Sequence, residues 1–159
     1  MKQAKTRILM VCLGNICRSP LAEGILRSLV DPETVEVDSA GTAGYHIGNR
    51  PDERSIAVAR KYGLDISGQR CRKFHSADFA SFDRIYAMDL ANLRHLQGMA
   101  RSEEELNKVR LLLDEAMVET REVPDPYYGG PGGFAEVFEL ISRACHAISE
   151  QMESKNSGK

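Results

Sequence analysis

Two kinds of hydrophobic pattern alternate along the chain, and the alternation predicts its fold class. Arg7-Ile8-Leu9-Met10-Val11 is a short apolar run, as expected of a strand covered on both faces. A polar loop follows, then a segment with apolar residues at 21, 22, 25, 26 and 29, one stripe of a helix. Val35-Glu36-Val37-Asp38-Ser39 alternates with the period of a strand, and a Gly-rich loop runs from Ala40 to Gly48. Pro51-Asp52 opens a second helix that extends to about Tyr62, where Gly63 stops it. Phe82 to Ala87 reads as a third strand, after which Asp89 caps a helix through Leu96. Val109 to Leu113 is the fourth strand candidate. A long polar loop through Asp125 leads to a last helix, Phe134 to about Met152, with apolar residues at 134, 137, 138, 141, 144, 145 and 148. No repeat or internal linker interrupts the series, so one domain over residues 1–153 is expected, followed by a compositionally disordered tail at 154–159.

Strands alternating with helices imply an α/β fold, a parallel sheet with helices on both faces in a single three-layer domain. Ligands in such sheets bind beyond the carboxyl ends of strands. The first strand ends at Val11, which puts Cys12 where a site belongs.

Composition removes several classes of function. The chain has 159 residues, 42% of them hydrophobic and 28% charged, an ordinary soluble balance for one domain. A formal net charge of −2 and a pI near 6.1 argue against a general nucleic-acid binder. No apolar run approaches a membrane span. The first residues, Met1-Lys2-Gln3-Ala4-Lys5, lead into an apolar stretch too short for a signal-peptide core. The expectations are therefore no nucleic acid, no membrane, a cytoplasmic location and a monomer. Four cysteines, at 12, 17, 71 and 145, form no disulfide framework in a chain of this size without a secretory signal. Each has to be core filler, ligand or nucleophile.

Cys12-Leu13-Gly14-Asn15-Ile16-Cys17-Arg18-Ser19-Pro20 joins a buried strand to a helix. With five residues between Cys12 and Arg18, the loop can curl so that its N–H groups point inward, an anion nest at a helix N-terminus. Gly14 and Asn15 tolerate the positive φ such a curl needs, and Pro20 suits the first helical turn. A thiol at Cys12, among N–H dipoles and near Arg18, is in a setting that favours the thiolate. The Arg18 guanidinium can grip two phosphoryl oxygens at once, and Ser19 can donate a hydrogen bond to the thiolate. The chemistry this pattern serves is attack on phosphorus, giving a phosphocysteine that water then hydrolyses. Cys17, inside the curl, reads either as an inert thiol or as a partner for reversible disulfide protection of Cys12.

A departing tyrosine phenolate, of pKa ~10, needs a proton from a positioned acid. Val123-Pro124-Asp125-Pro126-Tyr127-Tyr128 offers one, with two prolines holding the backbone extended around Asp125. Without context, Asp-Pro is simply a turn initiator.

Taken in order, Val11 to Pro20, Asp38-Ser39-Ala40-Gly41-Thr42, Phe82-Asp83 with Met88-Asp89, and Asp125-Pro126-Tyr127 resemble a low-molecular-weight protein tyrosine phosphatase over residues 6 to 150. The resemblance implies a four-stranded parallel sheet with a phosphate-binding loop after the first strand, and a two-step phosphocysteine mechanism without metal or cofactor. It implies Cys12 as nucleophile, Arg18 as phosphate and transition-state binder, and Asp125 as acid and then base. Leu13, Gly14, Asn15, Ile16, Cys17 and Ser19 would form the substrate loop, binding inorganic phosphate or other oxyanions. Ser39 and Ser19 would hold Asn15 in a strained conformation. Tyr45 and Tyr127 would wall a phenyl ring, favouring phosphotyrosine-containing proteins over short phosphoserine. From the residues alone, both tyrosines read as half-buried core. Many members carry a histidine after the Ile-Ser pair matching Ile66-Ser67, where this chain has Gly68, which puts the loop's support network in question. Arg70, Arg72 and Lys73 read as a solvated charged face, with a basic rim for acidic phosphopeptides as the alternative.

Three rival functions remain on the same loop. An arsenate reductase needs resolving cysteines, and Cys71 and Cys145 do not form the close pair expected. A protein arginine phosphatase is recognised by a threonine where this chain has Ile16, and tends to lack the Tyr127-Tyr128 pair. A phosphotyrosine-binding pseudophosphatase would have lost Cys12 or Asp125. No metal site is expected, because His46, His75, His95 and His146 are scattered and Cys12 and Cys17 have no second pair at ligand spacing. The Gly-rich run 129–133 matches no nucleotide fingerprint.

Overall fold

The computed structural model describes residues 5–128 and 133–157. All four strand candidates pair into one parallel sheet: β1 (Thr6–Cys12), β2 (Val35–Gly41), β3 (Arg84–Ala87) and β4 (Val109–Leu111), in the order β2-β1-β3-β4. The chain goes one way from β1 to β2, then crosses back to β3 and β4. The carboxyl end of β1 is therefore the switch point of a doubly wound sheet, and Cys12 is its last residue.

Ile8 to Val11 are completely buried because β1 separates two cores. Ile8 and Met10 pack with α1 (Arg18–Leu29), α2 (Glu53–Lys61) and α6 (Gly133–Ser157). Leu9 and Val11 face Phe79 of α3 (Asp78–Ser81) and Leu96 of α4 (Leu90–Met99). An apolar residue at every position, rather than at alternate ones, is what a strand sandwiched in this way requires.

The helix signals hold in detail. Asp52 caps α2, its side chain accepting from the Arg54 N–H, and Gly63 beyond the helix takes a φ of 80°, which costs a residue without Cβ little. Asp89 caps α4 by accepting from the Asn92 N–H. Several boundaries differ from the pattern, and two short helices were not part of it. The third strand begins at Arg84, two residues after Phe82, because Phe82 turns into the core behind α3. β4 ends at Leu111, and Leu112 to Glu115 wind into a 3₁₀ turn. α3 and α5 (Glu103–Lys108) are too short for a helical period to reveal. α6 continues through Ser157, past the start of the expected tail, and residues 158–159 lie outside the described residues.

Candidate active site

Beyond β1 the chain curls around the Cys12 sulfur. The Asn15 N–H donates to Cys12 Sγ at 3.3 Å, and the Ser19 hydroxyl stands 3.0 Å from the same atom. Asn15 is the residue that makes the curl, with φ at +57°, the left-handed region that asparagine enters more readily than most. Gly14 keeps an ordinary φ, contrary to expectation. It is small for a different reason: a Cβ there would meet the His46 ring at 3.2 Å. Gly41 ends β2 directly beneath the loop, where a Cβ would lie 2.8 Å from the Leu13 carbonyl oxygen, so only glycine lets the loop rest on the strand.

Asn15 holds its conformation through every polar group it has. Its Nδ2 donates to Ser19 Oγ at 2.8 Å and to Ser39 Oγ at 3.0 Å, and its Oδ1 accepts from the Arg72 N–H at 2.9 Å. Its carbonyl accepts from the Cys71 thiol at 2.8 Å. Burial, and then the nearness of Cys12, push the Cys71 thiol up to about 11, so it stays a donor at neutral pH. Ser39 in turn donates to Glu23 Oε1 at 2.6 Å. This network answers the question that Gly68 raised. Residues 71 and 72 reach the loop directly, while a Cβ at Gly68 would have nothing within 4 Å.

Arg72 is neither a solvated face nor a rim. Its guanidinium bridges Asp38 and Asp78, at 3.1 and 3.0 Å, which fixes the backbone N–H that holds Asn15. Arg70 bonds its own turn, to the Ser67 and Gln69 carbonyls, and Lys73 is exposed.

Arg18 is 3% exposed, and its partners aim it. Nη1 donates to Asp89 Oδ2 at 2.7 Å and to the Val123 carbonyl at 2.9 Å, while Nη2 lies 3.6 Å from Asp125 Oδ2. Burial opposes its charge, but Cys12, Asp89 and Asp125 outweigh that and raise its pKa.

These groups meet in a cleft of ≈ 260 Å³ lined by Cys12, Leu13, Gly14, Ile16, Cys17, Arg18 and Asp125, with Tyr45, His46 and Tyr127 around them. The predicted nucleophile, clamp, acid and both aromatic walls thus lie together. Asn15, Ser19 and Ser39 do not line the cleft; they stand behind the loop, where their side chains are consumed in supporting it. Asp89, Glu23, Cys71 and Arg72 are functional neighbours that sequence reasoning missed. Among the described residues, no group of three or more His, Cys, Asp or Glu could hold a metal ion, and no helix is long and apolar enough to cross a membrane. The Tyr128 side chain and the run at 129–132 lie outside the described residues.

A doubly wound parallel sheet with a cysteine and an arginine converging on an anion-sized loop at its switch point defines a class of phosphoryl-binding proteins. Within that class the chain belongs to the low molecular weight phosphotyrosine protein phosphatase family, whose model matches residues 7–157. It is 40% identical to a low molecular weight protein-tyrosine-phosphatase of Streptomyces coelicolor, over 94% of this chain and 97% of that one. The structure is similar to that of a protein tyrosine phosphatase from Entamoeba histolytica with Hepes in the active site. The two share a TM-score of 0.89 and 36% identity, with 96% of this chain and 99% of that one covered. It also resembles a Drosophila arginine phosphatase, with a TM-score of 0.84 and 34% identity over 92% and 98% of the two chains.

Proposed function

We propose that this protein hydrolyses phosphotyrosine in proteins through a phosphocysteine intermediate, without a metal ion. The observation that carries the reading is the convergence of Cys12, Arg18 and Asp125 in one cleft between two tyrosines. The dianionic phosphoryl group sits in the loop with Arg18 bridging two of its oxygens, which supplies the positive charge that a metal would otherwise bring. The Cys12 thiolate attacks phosphorus in line as the bond to the phenolic oxygen breaks. Asp125, protonated, gives that oxygen its proton. In the second step the Asp125 carboxylate takes a proton from water, the water oxygen bonds to phosphorus, and the P–S bond breaks to regenerate the thiolate. Ser19, 3.0 Å from the sulfur, stabilises the thiolate as it leaves.

Tyrosine is favoured over arginine because the apolar side chain of Ile16 lines the cleft, with Tyr45 and Tyr127 to flank a phenyl ring. Arsenate reduction is disfavoured because Cys145 is completely buried against the Ala22 carbonyl and cannot relay a disulfide outward. The test is phosphate release in EDTA from a phosphotyrosine peptide and from phosphoarginine, for wild type and Cys12→Ser. Phosphotyrosine turnover that survives EDTA and vanishes in Cys12→Ser supports the reading. Turnover of phosphoarginine alone would replace it, and turnover that EDTA abolishes would refute the metal-free mechanism.

A further inference from the structure

The first turn of α2 lies between the two halves of the cleft. On the loop side, the Asp52 N–H donates to the Ile16 carbonyl at 2.8 Å and the Ser55 hydroxyl to the Cys17 carbonyl at 3.4 Å. On the Asp125 side the contacts come from Arg54. Its Nη1 donates to the Tyr127 carbonyl at 3.2 Å, and its guanidinium carbon lies 5.3 Å from the centre of the Tyr127 ring and 4.8 Å from that of Phe134. The Asp52 carboxylate fixes the plane of the guanidinium, taking Nε at 3.0 Å and Nη2 at 2.9 Å. The Tyr127 N–H then donates to Asp125 Oδ1 at 3.0 Å. A continuous path runs from Ile16 through Asp52, Arg54 and Tyr127 to Asp125.

We propose that Arg54 is a positioning residue for the general acid, fastening the Tyr127 segment to α2 and so setting how far Asp125 stands from the Cys12 loop. The inference rests on Asp125 being that acid. Asp125 has one oxygen turned to its own backbone and the other 3.6 Å from Arg18, so the phosphate loop reaches it through an ion pair too long for a hydrogen bond, which does not by itself set the distance. Arg54 does so from outside. An apolar residue could pack on the two rings, and a lysine could pair with Asp52. Only a planar fork does both while also donating to the Tyr127 carbonyl. An exposed arginine–carboxylate pair contributes little to stability by itself, so the value of this one lies in what it orients.

The test is kcat/KM, which reports the step that releases the phenol, over aryl phosphates of graded leaving-group basicity. Wild type, Arg54→Ala, Arg54→Lys and Asp125→Ala are compared. Arg54→Ala is expected to lose about 10- to 100-fold on phosphotyrosine but little on the most acidic leaving group, so its dependence on basicity steepens toward that of Asp125→Ala. Arg54→Lys falls between, because it keeps the charge without the fork. A plot for Arg54→Ala parallel to wild type, whatever the size of the loss, overturns the proposal. If melting shows that Arg54→Ala does not fold, Asp52→Asn carries the same test, since asparagine still caps α2 but loosens the fork. A wild-type slope in Asp125→Ala removes the acid and the positioning role together. A steep slope there, with parallel plots for the Arg54 and Asp52 variants, removes the positioning role alone.

Discussion

Asp89 grips Arg18 at 2.7 Å with one carboxylate oxygen and caps α4 with the other, 2.8 Å from the Asn92 N–H. A single side chain thus ties the start of a helix on one face of the sheet to the arginine that begins a helix on the other. The charge matters for Arg18, whereas the cap needs only an acceptor.

The two roles separate by mutation. Asp89→Asn keeps the cap and loses the charge-assisted bond, which contributes about 1.5–3 kcal/mol. It is expected to lower kcat/KM about tenfold or more with little loss of stability beyond that bond. Asp89→Ala loses the cap as well and should be less stable than Asp89→Asn by about 1 kcal/mol. Urea unfolding alongside phosphotyrosine kinetics checks both, and equal stabilities for the two variants would deny the cap.

Asn15 is tied at five points and has a left-handed backbone. Asn15→Gly removes the side-chain ties but accepts φ of +57°; Asn15→Ala removes the ties and is strained there. Both should lose phosphate affinity, and alanine should be the less stable by about 1 kcal/mol. Isothermal titration with inorganic phosphate and denaturant unfolding measure the two effects. An alanine variant as stable as the glycine one would show that the loop relaxes.

Burial raises the pKa of the Glu23 carboxyl, against the lowering effects of the Ser39 hydrogen bond and Arg27. The native state therefore keeps a proton that the unfolded chain has already lost just above the ordinary glutamate value. Glu23's contribution to stability is full below that value and falls as pH rises through the native pKa. Glu23→Gln cannot titrate, so the stability of wild type relative to this variant should decline as pH rises from about 4.3. Parallel stability–pH curves for the two proteins would remove the shift.

The Cys17 thiol is pushed up to about 12 by burial, then by Asp52 and Cys12. It should therefore stay protonated and resist iodoacetate between pH 7 and 9, while inorganic phosphate protects Cys12 from the same reagent. Mild peroxide is expected to convert Cys12 to a sulfenic acid, which condenses with the Cys17 thiol to a disulfide, releasing water. Mass spectrometry decides this, and a Cys12 sulfinic acid without the disulfide would rule out the protective role.

The parts of the site legible in the sequence are those built within one short stretch. The Cys12 to Pro20 loop carries its own turn-former, clamp and helix start, and β1 announces its double burial through an unbroken apolar run. The supports were hidden because each joins distant segments. The sequence marks Asp89 as a helix cap, and one satisfied role conceals a second. Glu23 looks like a surface residue of an amphipathic helix. It lies four residues after Ser19, on the inward side of α1, and that spacing was the available signal. Arg72 reaches Asn15 through its backbone N–H, which no side-chain pattern encodes. Gly14 is small because of the His46 ring beside it and not because of its φ, and the sequence does not distinguish a close neighbour from an unusual backbone angle.

The central place of β1 gives the two halves of the cleft unequal lifetimes. Cys12 closes a strand paired on both edges and packed on both faces, so freeing it requires the whole sheet to open. Asp125 belongs to no strand and reaches the cleft through a few polar contacts. Denaturant below the main transition should therefore uncouple proton delivery from phosphate capture. The protein would still bind oxyanion, and still cleave esters of acidic phenols, after it had ceased to release tyrosine.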